Sequence, residues 1–178
     1  MTLQEFELQL EAAAQEMNAS SCPPDRPDTL RSFRRYSNAV ALLPATERTK
    51  IANIARQIVA SFSSPTPAVQ VFLEGHADRD LQRERREPGF MARISKNRAA
   101  SVMRALQDLV GPATSRRIRW SVVGAGDSSL AVPNPRTEAE RGCNRRVKVS
   151  LEGKPMPPRP PGPPVCSNLA IWINAFIP

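Results

Sequence analysis

Three short stretches of the sequence contain polar residues that could do chemistry. GHADRD, residues 75–80, places the only histidine of the chain beside two aspartates. ISKNRAASVMRAL, residues 94–106, holds Arg98 among apolar residues, and GCNRRVKVSL, residues 142–151, begins a later basic run. Residues of these types serve catalysis, metal coordination and the binding of charged ligands.

His76 is not predicted to be catalytic or to bind a metal. A histidine base needs a nucleophile in reach, and the sequence has neither a Gly-x-Ser-x-Gly turn nor a cysteine in an activating context. Metal sites need several ligands, and there is no second histidine and no CxxC spacing. We therefore expect no metal, no cofactor and no enzymatic activity, and we predict that His76 orders its loop through hydrogen bonds.

The two later stretches have plain interpretations when each is taken alone. Arg98 lies four residues after Ile94 and four before Val102, so it falls on or beside the buried stripe of a predicted helix. A charge there is costly unless it is paired or reaches the rim of a pocket, and a solvated arginine is the simpler interpretation. Asn144 and Arg145 are predicted to enter the last strand, where basic residues discourage edge-to-edge aggregation.

The elements that position these residues follow from apolar periodicity. Steps of three and four residues predict helices from Thr46, a candidate N-cap, to Phe62 and from Phe90 to Val110, where Gly111 and a proline follow. Alternating apolar residues predict three strands, with an ambiguous first strand within 30–43. These strands contain Val69, Val71 and Leu73, then Ile118, Trp120 and Val122, then Val147, Val149 and Leu151. A long charged loop is predicted over 75–89, and a second long loop over 124–143.

The resulting order is strand, helix, strand, helix, strand, strand. It predicts an α+β two-layer sandwich, with two main helices on one face of a four-stranded mixed sheet. A further amphipathic helix is predicted over residues 2–18. The predicted units are this helix with its linker (1–28), the domain (29–153), and a proline-rich spacer with an apolar tail (154–178).

The charge is unevenly distributed. The chain carries a net charge of +8, while residues 1–18 hold four glutamates and no basic residue. A basic body favours a polyanionic or carboxylate-rich partner, such as nucleic acid, an anionic membrane surface or a cell-wall polymer. No signal peptide is visible at the N-terminus, and no apolar run is long enough to span a membrane.

The three cysteines, Cys22, Cys143 and Cys166, do not have the spacing of a zinc site. Three free thiols are the simpler expectation. A Cys143–Cys166 disulfide is the alternative in an oxidising compartment.

Together, the three stretches resemble the C-terminal OmpA-like peptidoglycan-binding family. The family pattern reads roughly G-H-T-D after a strand, L-S-x-x-R-A-x-x-V on a helix, G-x-G, and N-R-R-V. The corresponding segments here are GHAD, ISKNRAASV, GAG and NRRV, in the same order, and YSNAVALLP at 36–44 looks like the family's first strand and turn. The resemblance covers about residues 30–152.

The resemblance implies a domain that binds peptidoglycan without breaking bonds and anchors a larger envelope assembly to the cell wall from the periplasm. Family members grip the diaminopimelate side chain of the peptide stem with the aspartate of GHTD and the arginine of LSxxRA. These positions are Asp78 and Arg98 here. The remaining positions near the family's pocket are Tyr36, Asn38, Ile94, Asn144 and Arg145.

Two other functions remain open. The first is a structural subunit of a secretion, stator or contractile injection machine, with protein contacts through the N-terminal helix, the 79–89 loop and the C-terminal tail. The loop is longer and more charged than is typical of the family. The second is nucleic-acid binding through the arginines, which ranks last because aromatic residues are only 5% of the chain.

Overall fold

The computed structural model describes residues 22–63 and 68–153. Their elements follow the predicted order, with short helices added in the connections. The elements are β1 Thr29–Leu30, one 3₁₀ turn Val40–Leu42, α1 Ala45–Ser61, β2 Ala68–Gly75, α2 Leu81–Arg86, α3 Phe90–Val110, α4 Pro112–Ser115, β3 Arg119–Gly124, α5 Glu138–Asn144 and β4 Val147–Gly153.

The four strands form one mixed sheet in the order β1-β4-β2-β3. β2 runs parallel to β3 and antiparallel to β4, and β1 adds two residues to the far edge of β4. Leu73 of β2 lies opposite Val122 on one side and Val149 on the other, so the inward-facing apolar residues of the three long strands are aligned.

The two long helices share one apolar core with this sheet. The core includes inward-facing residues of the strands and one face of each long helix, because their apolar residues recur at helical spacing. Its members include Ile51, Ile54, Ala55 and Ile58 of α1, Ala99, Val102, Leu106 and Val110 of α3, and Val71, Leu73, Val147 and Val149 of the sheet. The predicted two-layer α+β sandwich is confirmed.

Both ends of α3 coincide with the prediction for local reasons. Gly89, with a φ of 80°, precedes the helix, and the carboxylate of Glu84 accepts hydrogen bonds from the backbone N–H groups of Gly89 (2.6 Å) and Met91 (3.0 Å). These bonds satisfy donors that the first turn leaves without an intrahelical partner. Gly111, with a φ of 79°, follows the last residue.

The predicted first strand within 30–43 is wrong for most of its length. Only Thr29 and Leu30 pair with β4. Tyr36 adopts a left-handed backbone, with a φ of 57°, and the apolar residues that follow form a 3₁₀ turn. α1 begins directly after Pro44, so Thr46 is not its N-cap.

The two predicted long loops each contain a short helix. α2 is capped by Asp80, whose side chain accepts from the Arg83 N–H at 3.0 Å. α5 begins with a capping box between Thr137 and Glu140. Asn144 ends α5, so the prediction that Asn144 and Arg145 enter the last strand is wrong.

The structure pairs Cys22 with Cys143 in a disulfide, with the two Cα atoms 5.9 Å apart. This corrects both expectations for the cysteines, the three free thiols and the Cys143–Cys166 pair. Cys166, the predicted helix over 2–18 and the spacer and tail after 153 lie outside the described residues. The predicted domain limits stay a prediction, although β1 begins at Thr29 and β4 ends at Gly153.

Candidate functional site

A cleft of about 740 Å³ opens where β2 ends. Its walls come from the strand end and α2, from the first turns of α3, and from the segment that leads into α5. It is lined by Arg35, Tyr36, Ala77, Asp78, Arg79, Asp80, Leu81, Gln82, Phe90, Met91, Ile94, Arg98, Pro133, Asn134, Pro135, Arg136, Glu138, Arg141 and Arg145.

Asp78 is held on one side of the cleft by α5. One carboxylate oxygen accepts a hydrogen bond from Asn144 Nδ2 at 2.8 Å, and the other accepts from a guanidinium nitrogen of Arg141 at 3.1 Å. Asn144 is fully buried, and its amide also bonds the backbone N–H and carbonyl of Val132 at 2.8 and 2.9 Å. Asn144 therefore does not line the cleft but fixes the orientation of Asp78 and the loop before α5.

Arg98 lies at the base of the cleft and is only 2% exposed. Its three guanidinium nitrogens donate to the carbonyls of Ser37 (2.9 Å), His76 (3.2 Å) and Arg34 (3.4 Å). Burial lowers the pKa of Arg98 to about 10, and the charge of Arg145 acts in the same direction, while Asp78 opposes it. The side chain is therefore charged at neutral pH, and its interpretation as a solvated arginine is wrong.

Two glycines allow α3 to cross the strand ends closely enough for Arg98 to reach them. Gly75 and Gly124 pair between β2 and β3, and both face the backbone of α3. A Cβ built on Gly75 would lie 1.9 Å from the Ser95 carbonyl oxygen, and one on Gly124 would lie 2.4 Å from that of Ala92. Gly75 is required for this close approach and not for an unusual turn, because its φ is not positive.

Tyr36 lines the cleft and is partly exposed. Its ring packs edge-on against Phe90, with centroids 5.5 Å apart, and its hydroxyl donates to the carboxylate of Asp80. That hydrogen bond raises the pKa of Tyr36 and holds the pKa of Asp80 well below its usual range. A left-handed backbone costs a non-glycine residue roughly 1–2 kcal/mol, so these contacts stabilise a strained residue at the cleft.

Of the remaining predicted site residues, two line the cleft and one does not. Ile94 and Arg145 line the cleft. Arg145 also donates to the Phe33 carbonyl at 2.6 Å and to Glu138 at 2.5 Å. Asn38 does not line it, and its amide donates instead to Ser101 Oγ at 3.2 Å.

Comparison with known proteins decides the family. The family model described as the OmpA family matches residues 36–145, more than half of the chain. The chain belongs to the OmpA family. No curated protein matches the sequence.

Solved structures similar to this OmpA-family chain include two of Helicobacter pylori MotB. One, of the C-terminal domain, is 23% identical, with 72% of this chain and 86% of that chain covered and a TM-score of 0.50. A structure of the periplasmic domain is 22% identical, covers 70% and 74%, and also has a TM-score of 0.50. The peptidoglycan-associated lipoprotein from Burkholderia pseudomallei is 21% identical, covers 72% and 96%, and has a TM-score of 0.49. The two MotB structures support the same fold for this chain.

Arg141 is a residue of this OmpA domain that sequence reasoning missed. Its guanidinium lies against Asp78 because it is three residues before Asn144 on α5. The signal was present in the Thr-x-x-Glu pattern of residues 137–140, which predicts a helix start.

His76 is fully buried, and its two ring nitrogens have no hydrogen-bond partner among the described residues. The prediction that its side chain orders the loop by hydrogen bonds is therefore wrong. Its backbone does so instead, since the His76 N–H donates to the Arg146 carbonyl at 2.8 Å. Burial, with the charges of Arg146 and Lys148, lowers the pKa of His76 from 6.5 to about 4.

We expect this histidine to make the domain less stable in mild acid. As the pH falls below 6.5, the imidazole of His76 becomes protonated in the unfolded chain, whereas in the folded chain it stays neutral until about pH 4. The free energy of unfolding should then fall by about 1.6 kcal/mol between pH 6.5 and pH 5, with a slope that approaches about 1.4 kcal/mol per pH unit once the unfolded histidine is fully protonated. Denaturant titrations of the full chain at these two pH values measure the difference. His76→Gln should remove it, whereas equal stability of the wild type at both pH values would contradict the prediction.

Within residues 22–63 and 68–153, no group of three His, Cys, Asp or Glu residues could hold a metal ion. In the same part of the chain, no helix is both long and apolar enough to cross a bilayer.

Proposed function

We propose that this chain is a non-catalytic binding module that holds the diaminopimelate residue of peptidoglycan stem peptides and anchors a larger envelope assembly to the cell wall. One observation carries the proposal: Asp78 and Arg98, from the end of β2 and from α3, line a single cleft. Membership of the OmpA family supports it, because the resemblance of GHAD and ISKNRAASV to the family's motifs implies that these two residues contact this ligand. The corresponding location is the periplasm.

The two side chains have the chemistry that a zwitterionic headgroup requires. A carboxylate offers about four acceptor sites, and Asp78 uses two of them for Arg141 and Asn144. The remaining acceptor sites of Asp78 can accept hydrogen bonds from the ammonium group of the ligand. A guanidinium carries five N–H groups, and the three carbonyl bonds of Arg98 leave one on each terminal nitrogen to fork onto the ligand carboxylate.

The expected affinity for one stem is modest. A hydrogen bond to a charged group contributes roughly 1.5–3 kcal/mol net. Attachment to the wall then depends on the many stems along the polymer and on several copies of the module in one assembly, since linked binding events raise the overall affinity.

The first test is co-sedimentation of the purified full chain with sacculi of two types. We expect binding to sacculi whose stems carry diaminopimelate and much weaker binding to sacculi whose stems carry lysine. A lysine side chain ends in an ammonium alone, so Arg98 would lose its carboxylate partner. Equal sedimentation with both types would contradict the assignment of the ligand.

The second test changes each half of the site. Asp78→Asn and Arg98→Lys should each weaken binding to diaminopimelate-type sacculi by about tenfold or more, because each removes charge-assisted bonds. Lysine is preferred to alanine at position 98, since an alanine would leave three backbone carbonyls without their donor. Matched controls are Asp108→Asn and Arg104→Lys, which make the same changes at exposed residues of α3, the helix that carries Arg98.

The same variants separate this proposal from the alternative role as a structural subunit of a secretion, stator or contractile injection machine. In that role the fold serves protein contacts and the pair is dispensable. If Asp78→Asn and Arg98→Lys, with unchanged thermal unfolding, sediment as the wild type does, the cleft is not the peptidoglycan site.

A further inference from the structure

Three arginines lie close together where α4 leads into β3. The segment that carries them, SRRIRW, is residues 115–120. Arg116, Arg117 and Arg119 are all exposed. Ile118, which lies among them in the sequence, is only 7% exposed and belongs to the apolar core. The isoleucine therefore attaches the segment to the domain and leaves three cationic side chains at the surface, which we call the arginine edge.

The arginine edge is held in place by contacts on both sides of it. The Arg117 N–H donates to the Thr114 carbonyl at 3.0 Å, and Trp120 Nε1 donates to the Ser115 carbonyl at 3.1 Å. The guanidinium of Arg117 lies over the ring of Phe62, 4.4 Å from its centroid. A stacked guanidinium keeps the N–H groups in its plane for other acceptors. The edge is therefore a defined surface with donors to offer.

The arginine edge has no acidic partner among residues 22–63 and 68–153. None of its three guanidinium groups forms an ion pair or a side-chain hydrogen bond there. By contrast, Arg35, Arg79 and Arg141 of the cleft each pair with an aspartate. Adjacent unpaired cations attract a partner that carries several negative charges. Phosphate fits them best, since it accepts two parallel N–H bonds from one guanidinium.

The arginine edge lies at the end of the sheet opposite the cleft. Gln70, near the start of β2, pairs with Arg119 on one side and with Glu152 on the other. Gly75, at the other end of β2, pairs with Gly124 beside the cleft. The strand between Gln70 and Gly75 is about 17 Å long. The two surfaces can therefore contact different partners at the same time.

The chain leaves the described domain at this same end of the sheet. Gly153, the last residue of β4, lies opposite Ala68 at the start of β2. The sequence that follows contains Lys154 and Arg159, no acidic residue, and the apolar stretch NLAIWINAFIP at 168–178. Basic residues near an apolar stretch with tryptophan and phenylalanine are typical of segments at the surface of an anionic membrane.

Two observations favour lipid headgroups over nucleic acid as the source of the phosphates. Proteins that bind single-stranded nucleic acid combine phosphate contacts with aromatic rings that stack on bases. Here the ring of Phe62 is covered by Arg117, and the indole N–H of Trp120 is used by the Ser115 carbonyl. The apolar stretch after Gly153 suits a bilayer and not a nucleic acid.

We propose that the arginine edge binds the phosphate headgroups of an anionic phospholipid membrane. The cleft, at the opposite end of the sheet, then faces the cell wall, so that one domain links the two surfaces. This orientation rests on the function proposed above, whereas the lipid contact does not. Each arginine near an anionic bilayer raises the affinity about fivefold, so the three together should contribute about a hundredfold.

The test is co-sedimentation of the purified full chain with phosphatidylcholine vesicles that contain about one-third phosphatidylglycerol. The wild type should bind these mixed vesicles and not vesicles of phosphatidylcholine alone. The triple variant Arg116→Gln, Arg117→Gln, Arg119→Gln should bind the mixed vesicles about a hundredfold more weakly. Lysine at the same three positions should largely restore binding, because it keeps the charges.

The matched control changes three other exposed arginines that form no ion pair within the described part of the chain. It is the triple variant Arg26→Gln, Arg85→Gln, Arg86→Gln. Both triple variants lose the same charge, so they differ only in where it is lost. Both should keep the thermal unfolding of the wild type, since all six residues are exposed. If both bind the mixed vesicles equally weakly, binding follows net charge and the arginine edge is not the site.

The outcomes separate this proposal from the proposed function. A wild type that binds sacculi but not mixed vesicles refutes the lipid contact and leaves the cleft assignment intact. A wild type that binds mixed vesicles but not sacculi refutes the proposed function and leaves the lipid contact in place. If the glutamine variant of the arginine edge loses binding to a DNA duplex but keeps binding to mixed vesicles, the edge is a nucleic-acid site and the lipid assignment is wrong.

Discussion

Replacing Cys22 with serine is expected to lower the free energy of unfolding by about 5 kcal/mol under oxidising conditions. The Cys22–Cys143 disulfide joins residues 121 positions apart, and closing so long a loop restricts the unfolded chain strongly. The loss is comparable to the whole stability of many domains, so the variant should be partly unfolded near 37 °C. Guanidinium unfolding of the oxidised full chain, followed by tryptophan fluorescence, measures the difference.

The remaining cysteine provides the control for this experiment. Cys166→Ser should leave the unfolding midpoint unchanged, because Cys166 is not part of the Cys22–Cys143 pair. Wild-type protein treated with a reductant should match Cys22→Ser. A loss of stability in Cys166→Ser with none in Cys22→Ser would show that the pairing is wrong and would favour the Cys143–Cys166 pair, which was the alternative expectation from sequence.

The disulfide also bears on the site because of where it is attached. Cys143 lies on α5 beside Asn144, and the same short helix carries Arg141. Both of these residues hold Asp78. Fixing α5 to the segment at Cys22 therefore restricts the motion of the residues that orient the proposed ligand-binding carboxylate.

The long helices and strands could be predicted from the sequence because each buries a regularly spaced row of apolar side chains. α3 alternates buried and exposed residues at helical spacing over 21 residues, and glycines mark both of its ends. The short helices α2 and α5 could not be recognised by periodicity, since neither buries a stripe of its own. α2 buries no residue at all and is defined by its Asp80 cap. Only the capping pattern of α5 was readable in advance.

The first strand and the disulfide depend on contacts between distant parts of the chain. β1 has only two paired residues, and its partner β4 begins more than a hundred residues later. The backbone after it is fixed by side chains from elsewhere, such as Glu47, which accepts from the Arg31 N–H at 2.9 Å and from Lys50 at 2.9 Å. Alternation among Tyr36, Val40 and Leu42 gave no information about these contacts.

The candidate site, too, could be predicted from the sequence only in part. The family motifs predicted Asp78 and Arg98, and both line the cleft. The motifs did not reveal that Arg98 is almost completely buried and bonds three backbone carbonyls. Nor did they separate the residues that line the cleft from those, such as Asn144, that position them. These distinctions depend on the distances between segments, which spacing along the chain does not determine.

Substituting alanine for Gly75 is expected to destabilise the domain by about 3 kcal/mol or more and to abolish binding to sacculi. A Cβ at this position would lie 1.9 Å from the Ser95 carbonyl oxygen and 2.7 Å from its carbon, and both atoms belong to the backbone of α3. Because backbone atoms cannot rotate away, the helix itself would have to shift. Arg98, one turn further along α3, would move with it and lose its bond to the His76 carbonyl.

A second glycine supplies the matched control for Gly75→Ala. A Cβ on Gly142 would meet only Arg145 at 3.7 Å and Ser32 at 3.9 Å, which are ordinary contact distances. Because Gly142 lies within α5, alanine there should raise the free energy of unfolding by about 0.5–1 kcal/mol through its higher helix propensity. Denaturant titrations of both variants, together with sacculus co-sedimentation, provide the measurement. If Gly75→Ala unfolds at the wild-type denaturant concentration and still sediments with sacculi, then the close crossing of α3 over the strand ends does not position Arg98.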